Sequence, residues 1–452
     1  MTGESAGGVR PARRAEGATM ERDLMARLAN WKGSPRRKPL ILNGARQVGK
    51  TWLLREFGRT SFANVAYVSL DRDATARALF DPDFDTARII GGLSLLLDVE
   101  IRPQETLVIL DEIQTCPRAI TALKYFCEDS PQYAVAAAGS LLDISANAGS
   151  DFPVGKVNML DLHPLTLSEF LRATGSARYA DAPAAGDLAL LTPLAPQLEG
   201  MLKQYYFVGG MPEAVEVFAR TGDLVAVREV QQEILAGYTR DFAKHIPPRL
   251  LTRTMLAWDS IPSHLSRENK KFVFGQVRKG ARAADFEESL AWLEGAGLIR
   301  KVRRVNKPGI PLSAYTDGKA YKVFLVDVGL LGAMSGLDPR SVLEGNRIFA
   351  EFKGALTEQY VCQELVAGCG LEPYYWSAEN STGEVDFLVQ REGRVYPVEV
   401  KAEENLRSKS LRAFCDRYQG MEARRFSLSG PRDQGWMRNV PLWAIGNARV
   451  WE

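Results

Sequence analysis

The sequence contains few of the residues that build zinc sites, disulfide frameworks or membrane spans. It has only five cysteines, none in a CxxC pair, and three histidines. A zinc site is therefore not expected, and an odd number of scattered thiols favours a reducing, cytoplasmic setting. No apolar run reaches the roughly 18 residues that a membrane span needs, so no membrane association is expected. With 57 basic and 55 acidic residues, any basic surface must be local.

The order of apolar segments predicts an α/β protein of several domains, because 452 residues exceed what one hydrophobic core supports. Residues 1–19 lack an apolar core segment and are expected to be a disordered leader, so that Met20 could be the true start. Short apolar strands then alternate with helical segments, which predicts a parallel sheet with helices on its faces. The later part is expected to be helical, with an ending typical of a winged helix, and then mixed α/β. The predicted divisions are 1–19, 20–195, 196–343 and 344–452.

The segment "GARQVGKT" matches the phosphate-binding pattern GxxxxGK[ST] at every fixed position, between an expected strand and an expected helix. Backbone N–H groups of such a loop surround phosphates, and the helix N-terminus adds partial positive charge. Lys50 would neutralise the β- and γ-phosphates of ATP, and the Thr51 hydroxyl would bind Mg²⁺. The predicted nucleotide-binding residues are Gly44, Ala45, Arg46, Gln47, Val48, Gly49, Lys50 and Thr51.

A second acidic motif supports the same chemistry. In "LVILDE" the apolar strand ends in Asp111 and Glu112, at the strand end where such sheets bind ligands. Asp111 would hold the metal through water, whereas Glu112 would orient and polarise the attacking water. A helix cap after the strand would explain one acid but not both. Ser140, after the next strand, is a candidate γ-phosphate sensor, although serine after glycine is also ordinary turn chemistry.

No arginine-finger motif is recognisable in the sequence. Arg118 and Lys156 are candidates for a residue that acts in a neighbouring subunit, but surface salt bridges explain either one equally well. Assembly into a homo-oligomer and binding of a protein partner therefore both stay open.

The C-terminal segment "GEVDFLVQREGRVYPVEVK" places three carboxylates and a lysine in two short apolar runs. A two-residue turn at Glu392–Gly393 would give a hairpin in which opposed residue numbers sum to 785. Asp386 then faces Glu399, and Glu384 faces Lys401. Alternation would put these four side chains on one face of the hairpin. Val385, Phe387, Val398 and Val400 are expected to cover the other face.

Two interpretations of the charged face compete. A cross-strand ion pair accounts for Glu384 and Lys401, but directly opposed carboxylates are destabilising. A divalent cation between Asp386 and Glu399 would remove that penalty, and hard oxygen ligands suit Mg²⁺. Lys401 could then position or activate a water, and Glu358 could be a further metal ligand. This metal site is weighed above a merely charged face.

An ordered set of segments resembles one family of proteins. "GARQVGKTWLLREF", "LDEIQTCPRAITALKYF", "YYFVGGMPEAV", "FLVDVGLL", "GEVDFLVQ" and "YPVEVKAEENLRSKSL" follow one another in the chain. Together they are similar to prokaryotic AAA-type ATPases with a C-terminal domain of unknown function related to PD-(D/E)XK nucleases. The resemblance implies an AAA-type core, a winged-helix-like middle and a restriction-endonuclease-like C-terminal α/β domain. It also implies that Asp386, Glu399 and Lys401 form a nuclease-type triad.

Two functions follow as hypotheses. The first is an ATP-hydrolysing, DNA-directed enzyme with Mg²⁺-dependent phosphodiester cleavage at the C-terminal site. Its basic run "RKVRRVNK", residues 300–307, would contact DNA phosphates, although a solvated ribbon explains the run equally well. The alternative is a nucleotide-dependent regulatory switch whose C-terminal fold binds DNA or a partner without cleavage. The complete acid, acid and lysine set favours the first hypothesis.

Overall fold

The computed structural model describes residues 20–139, 152–182, 188, 191–267, 270–340, 347–378, 383–402 and 408–451. The predicted leader and Ser140 lie outside these residues. The helices are α1 Leu24–Gly33, α2 Lys50–Ser61, α3 Ala74–Ala78, α4 Thr86–Leu97, α5 Pro117–Glu128, α6 Leu167–Ala173, α7 Ala177–Asp181, α8 Ala195–Val208, α9 Pro212–Thr221, α10 Leu224–His245, α11 Pro248–Leu265, α12 Phe274–Val277, α13 Ala283–Gly295, α14 Val328–Met334, α15 Arg347–Ala367 and α16 Lys409–Arg417. Short 3₁₀ helices cover Ile113–Thr115, Thr192–Leu194, Leu312–Tyr315, Leu442–Ala444 and Ala448–Trp451.

Five strands form a parallel sheet in the N-terminal part. They are β1 Leu40–Asn43, β2 Asn64–Ser69, β3 Thr106–Asp111, β4 Ala134–Ala138 and β5 Asn158–Asp161, in the order β2-β3-β4-β1-β5. Alternate residues along β3 join different apolar clusters, Leu107 and Ile109 on one face and Val108 and Leu110 on the other. This burial on both faces confirms the predicted parallel sheet and explains the uninterrupted apolar runs. The prediction did not include the short strand β5.

Eight strands form a second, mixed sheet. They are β6 Ile299–Val305, β7 Thr316–Leu325, β8 Tyr374–Ser377, β9 Glu384–Arg391, β10 Arg394–Val400, β11 Ala423–Ser427, β12 Arg432–Asp433 and β13 Met437–Pro441. Their order is β12-β13-β11-β10-β9-β8-β6-β7. The β6–β7 ribbon follows helices α11 to α13, and the winged-helix fold stays a prediction. However, β6 also pairs in parallel with β8, so the predicted boundary at residue 343 divides one sheet.

Helices α8 to α11 and α13 to α15 contribute to the apolar cluster that joins the two sheets. This cluster contains residues such as Leu42 of β1, Tyr205 of α8 and Val398 of β10. Local signals set several helix starts: Asp223 accepts hydrogen bonds from two backbone N–H groups at the start of α10, and Thr166 with Glu169 forms a capping box at α6. The nucleotide loop and the C-terminal hairpin are therefore parts of one continuously packed structure.

The five cysteines are free thiols in the structure. Across the described ranges, no helix combines the length and the apolar character needed to cross a membrane.

Candidate functional site

The predicted phosphate loop connects the buried strand β1 to helix α2. Its backbone takes left-handed conformations at Gln47 (φ 66°) and Gly49 (φ 93°), and glycine adopts such angles without a steric cost. Gly44 lies against the residue that follows β5, because a Cβ added to Gly44 would lie 2.3 Å from the carbonyl oxygen of Leu162. Only glycine fits at this position, so the first fixed residue of the motif is required by close packing.

The two polar side chains that begin α2 contact the loop and the end of β3. The Lys50 ammonium donates hydrogen bonds to the carbonyl oxygens of Gly44 (2.7 Å) and Ala45 (2.9 Å), which places it within the loop. The Thr51 hydroxyl donates to Oδ2 of Asp111 at 2.9 Å. The lysine and both predicted metal-binding oxygens are thereby brought together from segments about 60 residues apart.

Asp111 is held by a tyrosine that the sequence analysis missed. The Tyr67 hydroxyl donates to Asp111 Oδ2 at 2.9 Å, and burial together with this carboxylate raises the pKa of Tyr67 to about 12. Strands β2 and β3 pair with Ser69 opposite Asp111, which brings Tyr67 within reach. The sequence signal that could have identified Tyr67 was its position near the C-terminal end of β2. The convergence of a hydroxyl and a carboxylate on one point fits the hard oxygen ligands of Mg²⁺.

Glu112 follows Asp111 in a left-handed conformation, with φ 52°. Gln114, another residue missed from the sequence, donates a hydrogen bond to Glu112 Oε2 at 2.5 Å. Strand β4 lies between β1 and β3, so its carboxyl end lies between the loop and Asp111, where open α/β sheets bind ligands. The proposed sensor Ser140 follows this strand and is outside the described residues.

The loop also contacts the helical segment and the N-terminal helix region. Arg46 Nη1 forms an ion pair with Asp241 Oδ1 of α10 at 2.7 Å, and the Tyr238 hydroxyl donates to the Arg46 carbonyl oxygen at 2.9 Å. On another side, the buried Arg22 donates to the Val48 carbonyl oxygen at 3.1 Å. A change in the conformation of the loop would therefore alter its contacts with α10.

The two candidates for a residue acting in a neighbouring subunit make contacts within their own chain. Arg118 Nε donates to the Phe80 carbonyl oxygen at 2.6 Å, and its guanidinium lies over the Phe84 ring. Lys156 pairs with Glu128 at 2.7 Å. Lys156 thus forms the kind of salt bridge that explains such a residue equally well, whereas Arg118 contacts a backbone carbonyl and a ring; a role of either in a neighbouring subunit stays a prediction.

The C-terminal hairpin has the predicted turn and register. Glu392 (φ 49°) and Gly393 (φ 75°) both have positive φ, as a type I′ turn requires. The paired residues of β9 and β10 sum to 785, from Arg391 opposite Arg394 to Phe387 opposite Val398. Beyond the last of these pairs, Asp386 Oδ2 accepts a hydrogen bond from the Val400 backbone N–H at 2.7 Å.

Two predicted details of the hairpin are wrong. Glu384 pairs with the buried Lys322 of β7 at 2.5 Å, whereas Lys401 pairs with Glu399 at 2.6 Å. The alternation also breaks, since Val385 packs in a different apolar cluster from Phe387. The physical reason is a β-bulge. Between the pairs Tyr374–Leu388 and Trp376–Val385, β8 advances two residues while β9 spans three. The extra residue moves the β9 side chains beyond the bulge, including that of Val385, to the other face.

Glu358 contacts lysines that the sequence analysis did not consider. It forms a buried ion pair with Lys270 and lies 3.8 Å from the Lys322 ammonium. Burial alone would raise the pKa of Glu358, but the nearby lysines lower it. Burial, followed by the Glu358 carboxylate, raises the pKa of Asp386 to about 7.

The arrangement does not fit the predicted set of three carboxylate ligands. Within the described ranges, no three His, Cys, Asp or Glu side chains are placed so that they could hold a metal ion. Glu358 is instead occupied by ammonium groups. A cation bound by Asp386 and Glu399 alone remains a prediction.

The basic run of β6 is paired with carboxylates along most of its length. Arg300 contacts Glu372 (2.8 Å), Lys301 and Arg303 contact Glu294, and Arg304 contacts Asp317 (2.6 Å). Paired guanidinium groups have less net charge to offer a phosphate backbone, so this observation favours the solvated-ribbon interpretation of the run.

Comparison with protein families divides the chain into three matched segments. Residues 36–171 match a model described as an AAA domain. Residues 199–341 match a domain of unknown function, DUF8612, and residues 353–440 match another, DUF4143. The matches support a prokaryotic AAA-type ATPase. The N-terminal part of the chain is an α/β domain on a parallel sheet and resembles P-loop ATPase domains.

Relatives and solved structures show more distant similarity. Uncharacterized proteins of Mycobacterium bovis and Mycobacterium tuberculosis are each 25% identical over 390 residues, 84% of this chain and 73% of theirs. The Walker-type ATPase of Pyrococcus abyssi aligns with a TM-score of 0.45 and 15% identity, over 73% of this chain and 99% of its own. The RuvB Holliday junction branch migration motor of Thermotoga maritima aligns with a TM-score of 0.28 and 16% identity, over 62% and 86%. These scores are too low to carry any property of the solved proteins to this chain.

Proposed function

We propose that the chain binds ATP with Mg²⁺ at the loop between β1 and α2 and hydrolyses it. The observation that carries this proposal is the hydrogen bond between Thr51 and Asp111 beside an ammonium group, Lys50, that lies in the loop. Three residues with distinct chemical roles thus converge at the carboxyl edge of a parallel sheet, where open α/β folds bind ligands.

Each residue has a definite role in this proposal. Lys50 neutralises the terminal phosphates, while the loop N–H groups and the start of α2 bind the phosphate oxygens. Thr51 and Asp111 would hold Mg²⁺, which stabilises charge on the phosphates when bound. Glu112 orients and polarises the attacking water, and Gln114 fixes the position of the Glu112 carboxylate.

Two substitutions separate binding from hydrolysis. Lys50→Ala should abolish binding of a fluorescent ATP analogue, because the loop loses its neutralising charge. Glu112→Gln should bind the analogue normally but release phosphate at least about 100-fold more slowly, since the attacking water loses its general base. Normal phosphate release by Glu112→Gln would refute the role assigned to Glu112. Thermal unfolding of both variants checks that neither effect comes from misfolding.

A second candidate function is Mg²⁺-dependent cleavage of DNA at the C-terminal hairpin. The specific observation is the adjacency of Lys401 to Glu399 at 2.6 Å, with Asp386 anchored to the neighbouring strand by Val400. The carboxylates of Asp386 and Glu399 could bind a cation there, and Lys401 could position a water. The DNA-directed role, including contacts from the β6–β7 ribbon, belongs to this candidate.

Plasmid nicking tests the second candidate. The intact protein is compared with Asp386→Ala and Lys401→Ala in Mg²⁺ or Mn²⁺, with Lys124→Ala, an exposed lysine on α5 outside the ribbon, as the control. Cutting that both site variants lose and the control keeps would support a nuclease. If the intact protein cuts no nucleic acid, the chain is instead a nucleotide-dependent switch whose C-terminal fold binds DNA or a protein partner.

A further inference from the structure

A cluster of buried and half-buried charges joins the β6–β7 ribbon to the C-terminal hairpin. Its carboxylates are Glu358, Glu384, Asp386 and Glu399, and its ammonium groups belong to Lys270, Lys322 and Lys401. Buried charges of one sign are rarely tolerated without partners of the other sign. The three lysines nearly balance the four carboxylates, so most of the negative charge in the cluster already has a positive partner.

Two of these lysines come from outside the hairpin and its preceding helix. Lys322 lies on β7 and is fully buried, and its ammonium is 2.5 Å from Glu384 and 3.8 Å from Glu358. Lys270 lies on the segment between α11 and α12, is 8% exposed, and pairs with Glu358. Both therefore bring positive charge to the carboxylates that a metal ion would otherwise use.

The two lysines are held by different parts of the fold. Lys322 belongs to a central part of β7, where it pairs with Val302 of β6. The segment that carries Lys270 is tied to the ribbon by an isolated bridge between Lys271 and Lys322 and by the Phe272 N–H, which donates to the Tyr321 carbonyl oxygen at 2.9 Å. Phe272, which is 4% exposed and stacks on the rings of His264 and Tyr321, anchors the same segment, so the Lys270 ammonium is fixed beside Glu358.

We propose that Lys270 and Lys322 are built-in counter-ions of the carboxylate cluster, so that the cluster binds no divalent cation while Lys270 is in place. A divalent cation at Glu358 would lie within a few ångströms of an ammonium group, and like charges at that separation repel strongly in a buried site. Removal of the Lys270 charge opens the cluster to a cation. This proposal uses the location of the second candidate function but does not require that DNA be cut.

Binding of Mn²⁺ in the absence of nucleotide, followed by electron paramagnetic resonance, tests the proposal directly. The wild-type protein and Asp386→Asn should bind Mn²⁺ equally weakly. Lys270→Met, which keeps the length of the side chain but not its charge, should bind one Mn²⁺ about 100-fold more tightly than the wild type. This gained site should disappear in Lys270→Met/Asp386→Asn, and Lys319→Met, on the exposed part of β7, should behave as the wild type.

Thermal unfolding supplies a second measurement. Lys270→Met leaves Glu358 with less compensation and should melt at a lower temperature than the wild type. Mn²⁺ should restore part of this loss, because a ligand that binds only the folded state stabilises it, whereas the wild type should not respond. Lys270→Gln provides a milder variant if Lys270→Met does not fold.

Two results would overturn the proposal. One is a tight Mn²⁺ site in the wild type that Asp386→Asn removes, because the lysines would then not exclude the cation. The other is a folded Lys270 variant that gains no site. Either result can occur whether or not the protein cuts plasmid DNA, so failure of this proposal and failure of the nuclease candidate are distinguishable.

Discussion

Replacing Glu364 by glutamine would test how a buried carboxyl group joins the ATPase domain to the C-terminal part. Glu364 lies on α15 and is 2% exposed. Its Oε1 accepts a hydrogen bond at 2.8 Å from the backbone N–H of Leu167, the first residue of α6. Glutamine keeps the shape and the accepting oxygen but cannot ionise, so the substitution removes only the titration.

The expected effect follows from the pKa of this group. Burial, reinforced by the carboxylates of Glu169 and Asp23, raises the pKa of Glu364 from 4.5 to about 8. Below pH 4.5 the carboxyl group is protonated in both the folded and the unfolded chain. Between these two values only the unfolded chain releases the proton, so folding stability falls as pH rises, and above pH 8 the loss is complete. The whole difference between the two pKa values corresponds to a loss of about 4 to 5 kcal/mol in the free energy of unfolding.

Melting temperatures of the wild type and Glu364→Gln between pH 5 and pH 9 measure this effect. The two proteins should melt at similar temperatures at pH 5, and the variant should become progressively more stable than the wild type up to about pH 8. Glu287→Gln, an exposed position on α13, is the control and should show no such trend. A difference between wild type and Glu364→Gln that stays constant with pH would refute the reasoning.

Three further substitutions test the nucleotide site. Gly44→Ala should abolish ATP-analogue binding in a fluorescence titration, because the added Cβ would lie 2.3 Å from the Leu162 carbonyl oxygen; retained affinity would contradict the packing argument. Tyr67→Phe should raise the Mg²⁺ concentration needed for half-maximal hydrolysis about tenfold, since Asp111 loses one hydrogen bond, and an unchanged requirement would count against it. Arg46→Ala should bind ATP with an affinity within about threefold of that of the wild type. It should, however, lose the ATP-induced protection of α10 against hydrogen exchange, and a variant that keeps this protection would contradict the coupling.

The nucleotide loop was predictable because its signal is local. A strand, a Gly-rich turn and a helix that begins at Lys50 follow one another in the chain, and glycine is demanded by backbone geometry at Gly44 and Gly49. The hairpin register was predictable for the same reason, because Glu392 and Gly393 fix the turn and the turn fixes the pairing.

Other features depended on segments that are far apart in the chain. Tyr67 contacts Asp111 because β2 pairs with β3, and the bulge in β9 appears only when β8 pairs with it. The β6–β7 ribbon was expected to belong to a separate domain, but its pairing with β8 makes it part of the C-terminal sheet. Such pairings leave no periodic pattern in either segment.

The sequence by itself determined which residues carry charge to the C-terminal hairpin, since alternation and turn chemistry act over a few residues. Only the tertiary structure decided which oppositely charged side chains pair with them. Lys270 and Lys322 reach Glu358 and Glu384 because β7 and β9 belong to one sheet and because α15 and the segment before α12 pack beside it. Lys270, Lys322 and Glu358 are buried there. Burial then makes the pairing obligatory, because an isolated charge loses its hydration without compensation.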